Sequence, residues 1–154
     1  MKEALLAALG KVVVADEDYS IYTDESGEFW GNAGAGVIFR AKSTGRYLLP
    51  LRSKFVNEPG TWGVWGGAID DSETPEQGAR REVREETGYT KSFTLKHLHR
   101  YEKGKFRYDT FLAEVPEEFD PSLDWETESF EWYDLADFPD NLHFGLDPIV
   151  PKLR

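Results

Sequence analysis

The sequence predicts an α/β fold in which one well-marked helix packs on a mixed β-sheet. Three observations support this prediction: β-type runs in both halves of the chain, one segment with clear helix start and stop signals, and turn segments rich in glycine between them. The 154 residues suit one domain that buries about two-thirds of the surface exposed by the unfolded chain. Five Trp, seven Tyr and ten Phe favour an ordered core.

The chain divides into an N-terminal extension and a main domain. Residues 1–30 are predicted to pack on the core or on a dimer partner, and residues 31–154 to form the domain. The apolar stretch 4–14 is interrupted by Gly10 and is too short to span a membrane. We therefore expect a cytoplasmic protein that does not bind membranes.

Six β-type runs are bounded by turn residues and read as strands. They cover residues 35–41, 47–52, 62–65, 93–100, 107–115 and 129–133. The first two are joined by a hairpin-like connection at residues 42–46. Gly66-Gly67, directly after the third run, is expected to turn tightly and to leave a carbonyl group facing an ion. The three prolines after residue 135 limit the C-terminal part to short helical pieces.

The helix is predicted at residues 74–88 because both of its ends are specified. Thr74 suits the N-cap and Pro75 the first helical position, and Gln77 completes a capping box with Thr74. Gly88 stands where a left-handed residue ends a helix. The helix should therefore have about three and a half turns.

Three glutamates lie on one stripe of this helix. Glu82, Glu85 and Glu86 stand at i, i+3 and i+4, where like charges repel each other. Carboxylate oxygens in such a cluster suit Mg²⁺ or Mn²⁺. On helix evidence alone, a solvated acidic face is the preferred explanation of the stripe. Glu73, just ahead of the helix, is placed to reach Arg81.

Charge and composition exclude several classes of function. The 18 basic and 29 acidic side chains give a net charge of −11, which repels a phosphate backbone and disfavours binding to nucleic acids or anionic membranes. A phosphorylated small molecule would need a divalent metal between it and the protein. The chain has no Cys, so disulfides, thiolate zinc sites and Cys nucleophiles are excluded.

Seven residues around the helix have a fixed spacing. They are Gly67, Glu73, Arg81, Glu82, Glu85, Glu86 and Gly88. This pattern resembles the signature of the Nudix hydrolase family, which reads Gly, five residues, Glu, seven residues, Arg-Glu-aliphatic, one residue, Glu-Glu, one residue, and Gly-aliphatic. All seven fixed identities match, and such a match arises by chance on the order of 10⁻⁸ per starting position. The one departure is Tyr89, which stands where the family has an aliphatic residue.

The resemblance implies an α/β/α sandwich around a mixed sheet and a catalytic function. Members of the family cleave the pyrophosphate linkage of a nucleoside diphosphate joined to another group X, with Mg²⁺, for which Mn²⁺ can substitute. By matching position, the metal ligands are Glu82, Glu85 and Glu86 together with the carbonyl oxygen of Gly67. Glu82 is also the first candidate for the general base. Arg81 and Glu73 are expected to brace the site.

Other candidate residues lie outside the signature. Many family members supply a further carboxylate from a loop before a late strand that contains Trp, and Glu126 fits this role best, with Glu128 as the alternative ligand, base or substrate contact. Arg52 is a candidate phosphate contact at the end of the second strand. Tyr108 is a candidate substrate contact. Solvated acids and surface ion pairs are the structural alternatives for these residues.

The sequence leaves the substrate open, because no subfamily pattern outside the signature is met cleanly. An isopentenyl diphosphate isomerase shares the fold but needs a catalytic Cys, which this chain lacks. A catalytically silent nucleotide-binding module of the same fold is the remaining alternative. We expect the partner to be a small nucleoside diphosphate derivative such as a nucleotide, a nucleotide sugar or a dinucleotide.

Overall fold

The structure is a computed structural model that describes residues 33–154, so the predicted extension at residues 1–30 lies outside the described residues. Six strands, one α-helix and two 3-10 helices make up the described part. They are β1 (Ala33–Ala41), β2 (Tyr47–Arg52), β3 (Trp65–Ala68), α1 (Pro75–Thr87), β4 (Leu95–Lys103), β5 (Phe106–Val115), β6 (Thr127–Tyr133) and the 3-10 helices Leu135–Asp137 and Asp147–Lys152.

The strands form one mixed sheet in the order β4-β5-β1-β2-β6, and β3 pairs with β1 beside this path. β1 runs parallel to β5, while its pairings with β2 and β3 are antiparallel. The predicted α/β class and the mixed sheet are confirmed. β1 is the central strand: it pairs with β2, β3 and β5, and α1 packs against it.

The ends of α1 have the predicted geometry. The Gln77 N–H donates to the Thr74 hydroxyl oxygen at 3.1 Å, and the Thr74 N–H donates to the Gln77 side-chain oxygen at 2.9 Å. Gly88 has φ 74° and donates to the Arg84 carbonyl at 3.0 Å. These contacts satisfy backbone groups that the ends of a helix otherwise leave unpaired.

α1 covers one face of the sheet. Ala79 and Val83 are fully buried there and pack against the apolar side chains of β1 and β5. The core continues beyond the helix as an aromatic cluster of Phe39, Tyr89, Phe93, Phe119 and Trp132. Tyr89, the departure from the family pattern, therefore fills a core position in which an aromatic ring packs edge-on or tilted against its neighbours.

The C-terminal segment covers the other face of the sheet. Leu146 and Ile149 are fully buried against Ile38, Tyr47 and Leu49. Short 3-10 helices form this layer because the prolines of the segment break longer helices. In residues 33–154 no helix is both long and apolar enough to cross a membrane.

The third strand differs from the prediction. It was expected at residues 62–65 with a tight turn at Gly66-Gly67, but both glycines lie inside β3 and pair with β1. Glycine is depleted in strands and therefore suggests a turn, yet here it permits a close approach: a side chain at Gly66 would collide with the carbonyl oxygen of Ala35. Trp62 instead forms isolated bridges with Leu51 and Leu142.

Candidate active site

The acidic stripe of α1 lies against the glycine pair of β3. The Gly66 N–H donates to the Glu86 carboxylate at 2.9 Å. A Cβ atom at Gly67 would stand 2.9 Å from an oxygen of Glu82, so a side chain there would displace that carboxylate. The structure thus brings Gly67, Glu82 and Glu86 together, as the sequence predicted.

The Glu86 carboxylate has a strongly perturbed pKa. Burial of the carboxylate is the largest cause that raises its pKa well above the ordinary value, and the negative charges of Glu82, Glu126 and Asp124 add to it. The hydrogen bond from the Gly66 N–H acts in the opposite direction. Carboxylates from the helix and from the loop before β6 therefore act on one another at this place.

Arg81 braces the segment ahead of the helix. Its guanidinium donates to both oxygens of Glu73, at 2.7 and 2.9 Å, and also to the Ala68 carbonyl at 3.2 Å. The hydrogen bond from Arg81 is the main cause that lowers the pKa of Glu73, and the Asp70 N–H also donates to that carboxylate, at 2.9 Å. This bidentate contact fixes the end of β3 relative to α1.

The other two contacts of Arg81 go to the stripe itself. Its guanidinium donates to Glu82 at 3.2 Å and to Glu85 at 3.3 Å. The Glu85 side chain is 59% exposed, whereas that of Glu82 is 15% exposed. The stripe is therefore divided: Glu82 and Glu86 face β3, and Glu85 faces solvent.

The acidic loop, residues 124–127, joins the site through β2 and β6. Arg52 pairs with Thr127 in the sheet, next to Glu126. Leu51 pairs with Ser129, so Glu128 is the extra residue of a β-bulge. The structure places Glu126, Glu128 and the end of β2 together, and the charge of Glu126 reaches Glu86.

Arg52 lies beside a buried histidine. Burial and the charge of Arg52 lower the pKa of His143 to about 3, so the imidazole is neutral at physiological pH. The Gly145 N–H donates to His143 Nδ1 at 2.9 Å, which assigns the ring hydrogen to Nε2. Arg52 itself donates through Nε to the Asn57 carbonyl at 2.7 Å.

Tyr108 lies on the face of the sheet opposite α1. Cβ atoms at Gly34 and Gly36 would stand 2.7 and 2.5 Å from atoms of its side chain, whereas Ala35 between them faces the helix. The structure therefore separates Tyr108 from the acidic stripe by the thickness of the sheet.

Within residues 33–154, no three acidic or histidine side chains are drawn together as a ready-made metal site. The donor chemistry nevertheless fits a hard divalent cation, because negative charges gather around a buried carboxylate whose pKa they raise. Glu82, Glu86 and Glu126 are the side chains that would hold such an ion, and Gly67 would offer a carbonyl oxygen.

Two contributors were not singled out from the sequence. Asp124 adds its negative charge to the surroundings of Glu86 and accepts from the Glu126 N–H at 2.9 Å. Its position two residues before Glu126 is typical of a turn stabilised by an Asp side chain. The other is the Gly66 N–H, which donates to Glu86, and nothing in the sequence apart from the glycine itself indicates this hydrogen bond.

Comparisons with known proteins agree with the fold and the signature. The family model described as the NUDIX domain matches residues 31–153. The chain is 31% identical over 161 residues to a Mycobacterium tuberculosis protein named "Putative 8-oxo-dGTP diphosphatase 3", with 96% of this chain and 73% of that protein covered. The chain belongs to the Nudix family. It is accordingly a hydrolase that acts on pyrophosphate bonds.

Solved structures show the same architecture. The Nudix hydrolase RenU of M. smegmatis superposes with a TM-score of 0.67 at 30% identity, covering 79% of this chain and 83% of RenU. A C. elegans Ap4A hydrolase superposes with a TM-score of 0.64 at 24% identity, covering 77% and 93%, and this likeness concerns the fold alone.

Proposed function

We propose that this hydrolase depends on a divalent metal, Mg²⁺ with Mn²⁺ able to substitute, and cleaves a nucleoside diphosphate linked to another group X. The observation that carries the proposal is the Glu86 carboxylate, which is held by the Gly66 amide among the charges of Glu82, Asp124 and Glu126. A cation bound there would relieve this repulsion, and it would also attract a diphosphate to a protein of net charge −11.

The proposed ligands are Glu82, Glu86, Glu126 and the carbonyl oxygen of Gly67. When bound, the metal supplies charge neutralisation on the phosphate oxygens and a lowered pKa for the attacking water. Glu85 is proposed as an outer ligand, because it lies on the solvent side of the stripe.

Two residues have proposed roles in proton transfer and orientation. Glu82 is the proposed general base, since it lies against the Gly67 backbone and its carboxylate is oriented by Arg81 at 3.2 Å. Arg81 and Glu73 are proposed to keep the helix and β3 in register, so that the ligands are oriented before substrate arrives.

Substrate contacts are proposed for Arg52, Glu128 and Tyr108. Arg52 and Glu128 lie at the paired ends of β2 and β6, beside the loop that carries Glu126. Tyr108 on the opposite face would contact only a part of the substrate that extends past β3. We propose small molecules in the cytoplasm as partners, rather than nucleic acids, because of the net charge of −11.

A panel of nucleotides tests the proposed function. It contains NTPs, dNTPs, ADP-ribose, nucleotide sugars, NADH, coenzyme A and dinucleoside polyphosphates, each with Mg²⁺ or Mn²⁺. 8-oxo-dGTP comes first in the panel because of the name of the Mycobacterium tuberculosis relative. We expect metal-dependent release of a nucleoside monophosphate from at least one compound. Tight binding without turnover of any compound would instead favour a silent binding module.

Glu82→Gln tests the site within the active protein. We expect kcat to fall at least about 10²-fold with the fold intact, because the variant loses a ligand and the proposed base. Glu76→Gln is the matched control, since Glu76 is an exposed glutamate of the same helix whose carboxylate pairs with Arg80 at 3.2 Å. Turnover of Glu82→Gln near that of the control would contradict the role of Glu82.

A further inference from the structure

Ser53 joins the end of β2 to the acidic loop. Its hydroxyl donates to the Trp125 carbonyl at 2.8 Å, and its backbone N–H donates to the Glu126 carbonyl at 3.0 Å. The same hydroxyl accepts from the Phe55 N–H at 3.2 Å. Ser53 is only 6% exposed and Trp125 is 38% exposed, so the serine end of these partly buried bonds is the end shielded from water. One buried serine thus binds two consecutive carbonyls of the loop.

Two hydrogen bonds inside the loop shape a turn. Inside it, Asp124 accepts from the Glu126 N–H at 2.9 Å and from the Thr127 N–H at 3.3 Å. These bonds shape a turn but do not orient it relative to the sheet. The regular β2–β6 pairing ends at Arg52 and Thr127, after the bulge at Glu128. The hydrogen bonds of Ser53 attach the chain to β2 beyond this bulge, at Trp125 and Glu126.

We propose that Ser53 is a positioning residue for the metal site: its hydroxyl holds the acidic loop so that Glu126 stands beside Glu86 and completes the binding site for a divalent cation. The inference rests on the proposed function, in which Glu126 is a ligand. Ser53 acts through the backbone of Trp125 and Glu126 and touches neither metal nor substrate.

Loss of the hydroxyl has a definite structural consequence. In Ser53→Ala the Trp125 carbonyl loses its donor and the Phe55 N–H loses its acceptor, while the Ser53 N–H bond to Glu126 is kept. A partly buried carbonyl that loses its donor is better solvated when it moves towards water, so the loop will shift. Glu126 then spends less time beside Glu86, and the affinity for the cation falls.

The test is a calorimetric titration of Mn²⁺ into the metal-free protein without substrate. We expect Ser53→Ala to bind Mn²⁺ about 10-fold more weakly than the wild type, as is usual when a group that orients a ligand is removed. Thr61→Ala is the matched control: its hydroxyl donates to the Glu58 carbonyl at 2.7 Å in the neighbouring loop. The control should bind within about 2-fold of the wild type. Ser53→Thr, which keeps the hydroxyl, should restore binding.

A double variant separates positioning from a general loss of structure. If Ser53 acts through Glu126, adding Ser53→Ala to Glu126→Gln should change Mn²⁺ affinity by less than about 2-fold. Wild-type affinity in Ser53→Ala, or an undiminished loss in the double variant, would overturn the inference. If Ser53→Ala does not fold, Ser53→Cys, a weaker donor of similar size, replaces it. A wild-type protein that binds no Mn²⁺ would overturn the proposed function as well.

Discussion

Glu86 accepts a hydrogen bond from the Gly66 N–H of β3, and Glu73 accepts one from the Asp70 N–H just beyond that strand, yet the pKa values of the two carboxylates are shifted in opposite directions. Arg81 meets Glu73 with two hydrogen bonds, and the pKa of Glu73 is lowered as a result. Burial and the neighbouring carboxylates raise the pKa of Glu86, against the opposing effect of the hydrogen bond from the Gly66 N–H. The Glu73 side supports the fold, whereas the Glu86 side gathers carboxylates whose ionised form a bound cation would stabilise.

The position of each residue along α1 adds to this difference. Glu73 precedes the N-terminus of the helix, where the helix dipole favours an anion. Glu86 stands in the last turn, where the unpaired carbonyls of the helix disfavour one. A helix that served only stability would not place an acid there. Stability and function are therefore expected to respond in opposite directions when Glu86 is neutralised.

Glu86→Gln should have the largest effect on turnover. We expect kcat to fall at least about 10²-fold, because the variant loses a charged ligand while its amide oxygen still accepts from the Gly66 N–H. Steady-state kinetics with saturating Mg²⁺ measure this. Turnover of the variant within a few-fold of the wild type would contradict a functional role for the charge of Glu86.

The same variant should stabilise the metal-free protein at neutral pH. A raised pKa means that the folded state binds more protons than the unfolded state, so stability falls as the pH rises from the ordinary carboxyl pKa towards the raised pKa of Glu86. Glu86→Gln removes this decline. We expect its free energy of unfolding to exceed that of the wild type by about 1 kcal/mol at pH 8, with no excess below about pH 4. Urea unfolding at both pH values, with EDTA, measures it.

Arg81→Lys should have an intermediate effect and should act on stability and activity together. Lysine cannot reproduce the two parallel bonds to Glu73, so we expect a loss of about 1–2 kcal/mol in stability and about 10-fold in kcat. Arg84→Lys, at an exposed position of the same helix, is the control. Equal free energies of unfolding for the two variants, measured with urea, would contradict the bracing role of Arg81.

Glu85→Gln should have the smallest effect. The Glu85 side chain is 59% exposed, and its carboxylate accepts a long hydrogen bond from Arg81, at 3.3 Å. We expect stability to change by less than about 0.5 kcal/mol and turnover to fall less than in Glu86→Gln. Thermal unfolding and steady-state kinetics of Glu85→Gln and Glu86→Gln, measured side by side, check these expectations. A loss in turnover as large as that of Glu86→Gln would mean that the solvent side of the stripe contributes as much to metal binding as the side that faces β3.

The helix and its acids were predictable because their signals are local. Thr74, Gln77 and Gly88 specify the two ends through contacts within a few residues, and the stripe follows from helical spacing. The division of the stripe was not predictable. It depends on which side of α1 the sheet covers, and this is set by packing of Ala79 and Val83 on β1.

β3 and the acidic loop show why other parts of the fold and of the site could not be predicted from the sequence. Gly66 and Gly67 carry a turn signal, and only their approach to β1 reveals them as strand residues. Ser53 carried no signal, because its partners are backbone carbonyls some seventy positions away. Contacts of this kind depend on tertiary structure and leave no periodic pattern.

The parallel pairing of β1 with β5 has a consequence for synthesis on the ribosome. Ala33 pairs with Arg107, and the chain between them includes β2, β3, α1 and β4. The helix with its glutamates therefore leaves the exit tunnel before the strand that completes its platform, and pairings so distant in sequence form slowly. A nascent chain halted before β5 would carry every residue of the family signature and still lack the sheet on which those residues depend.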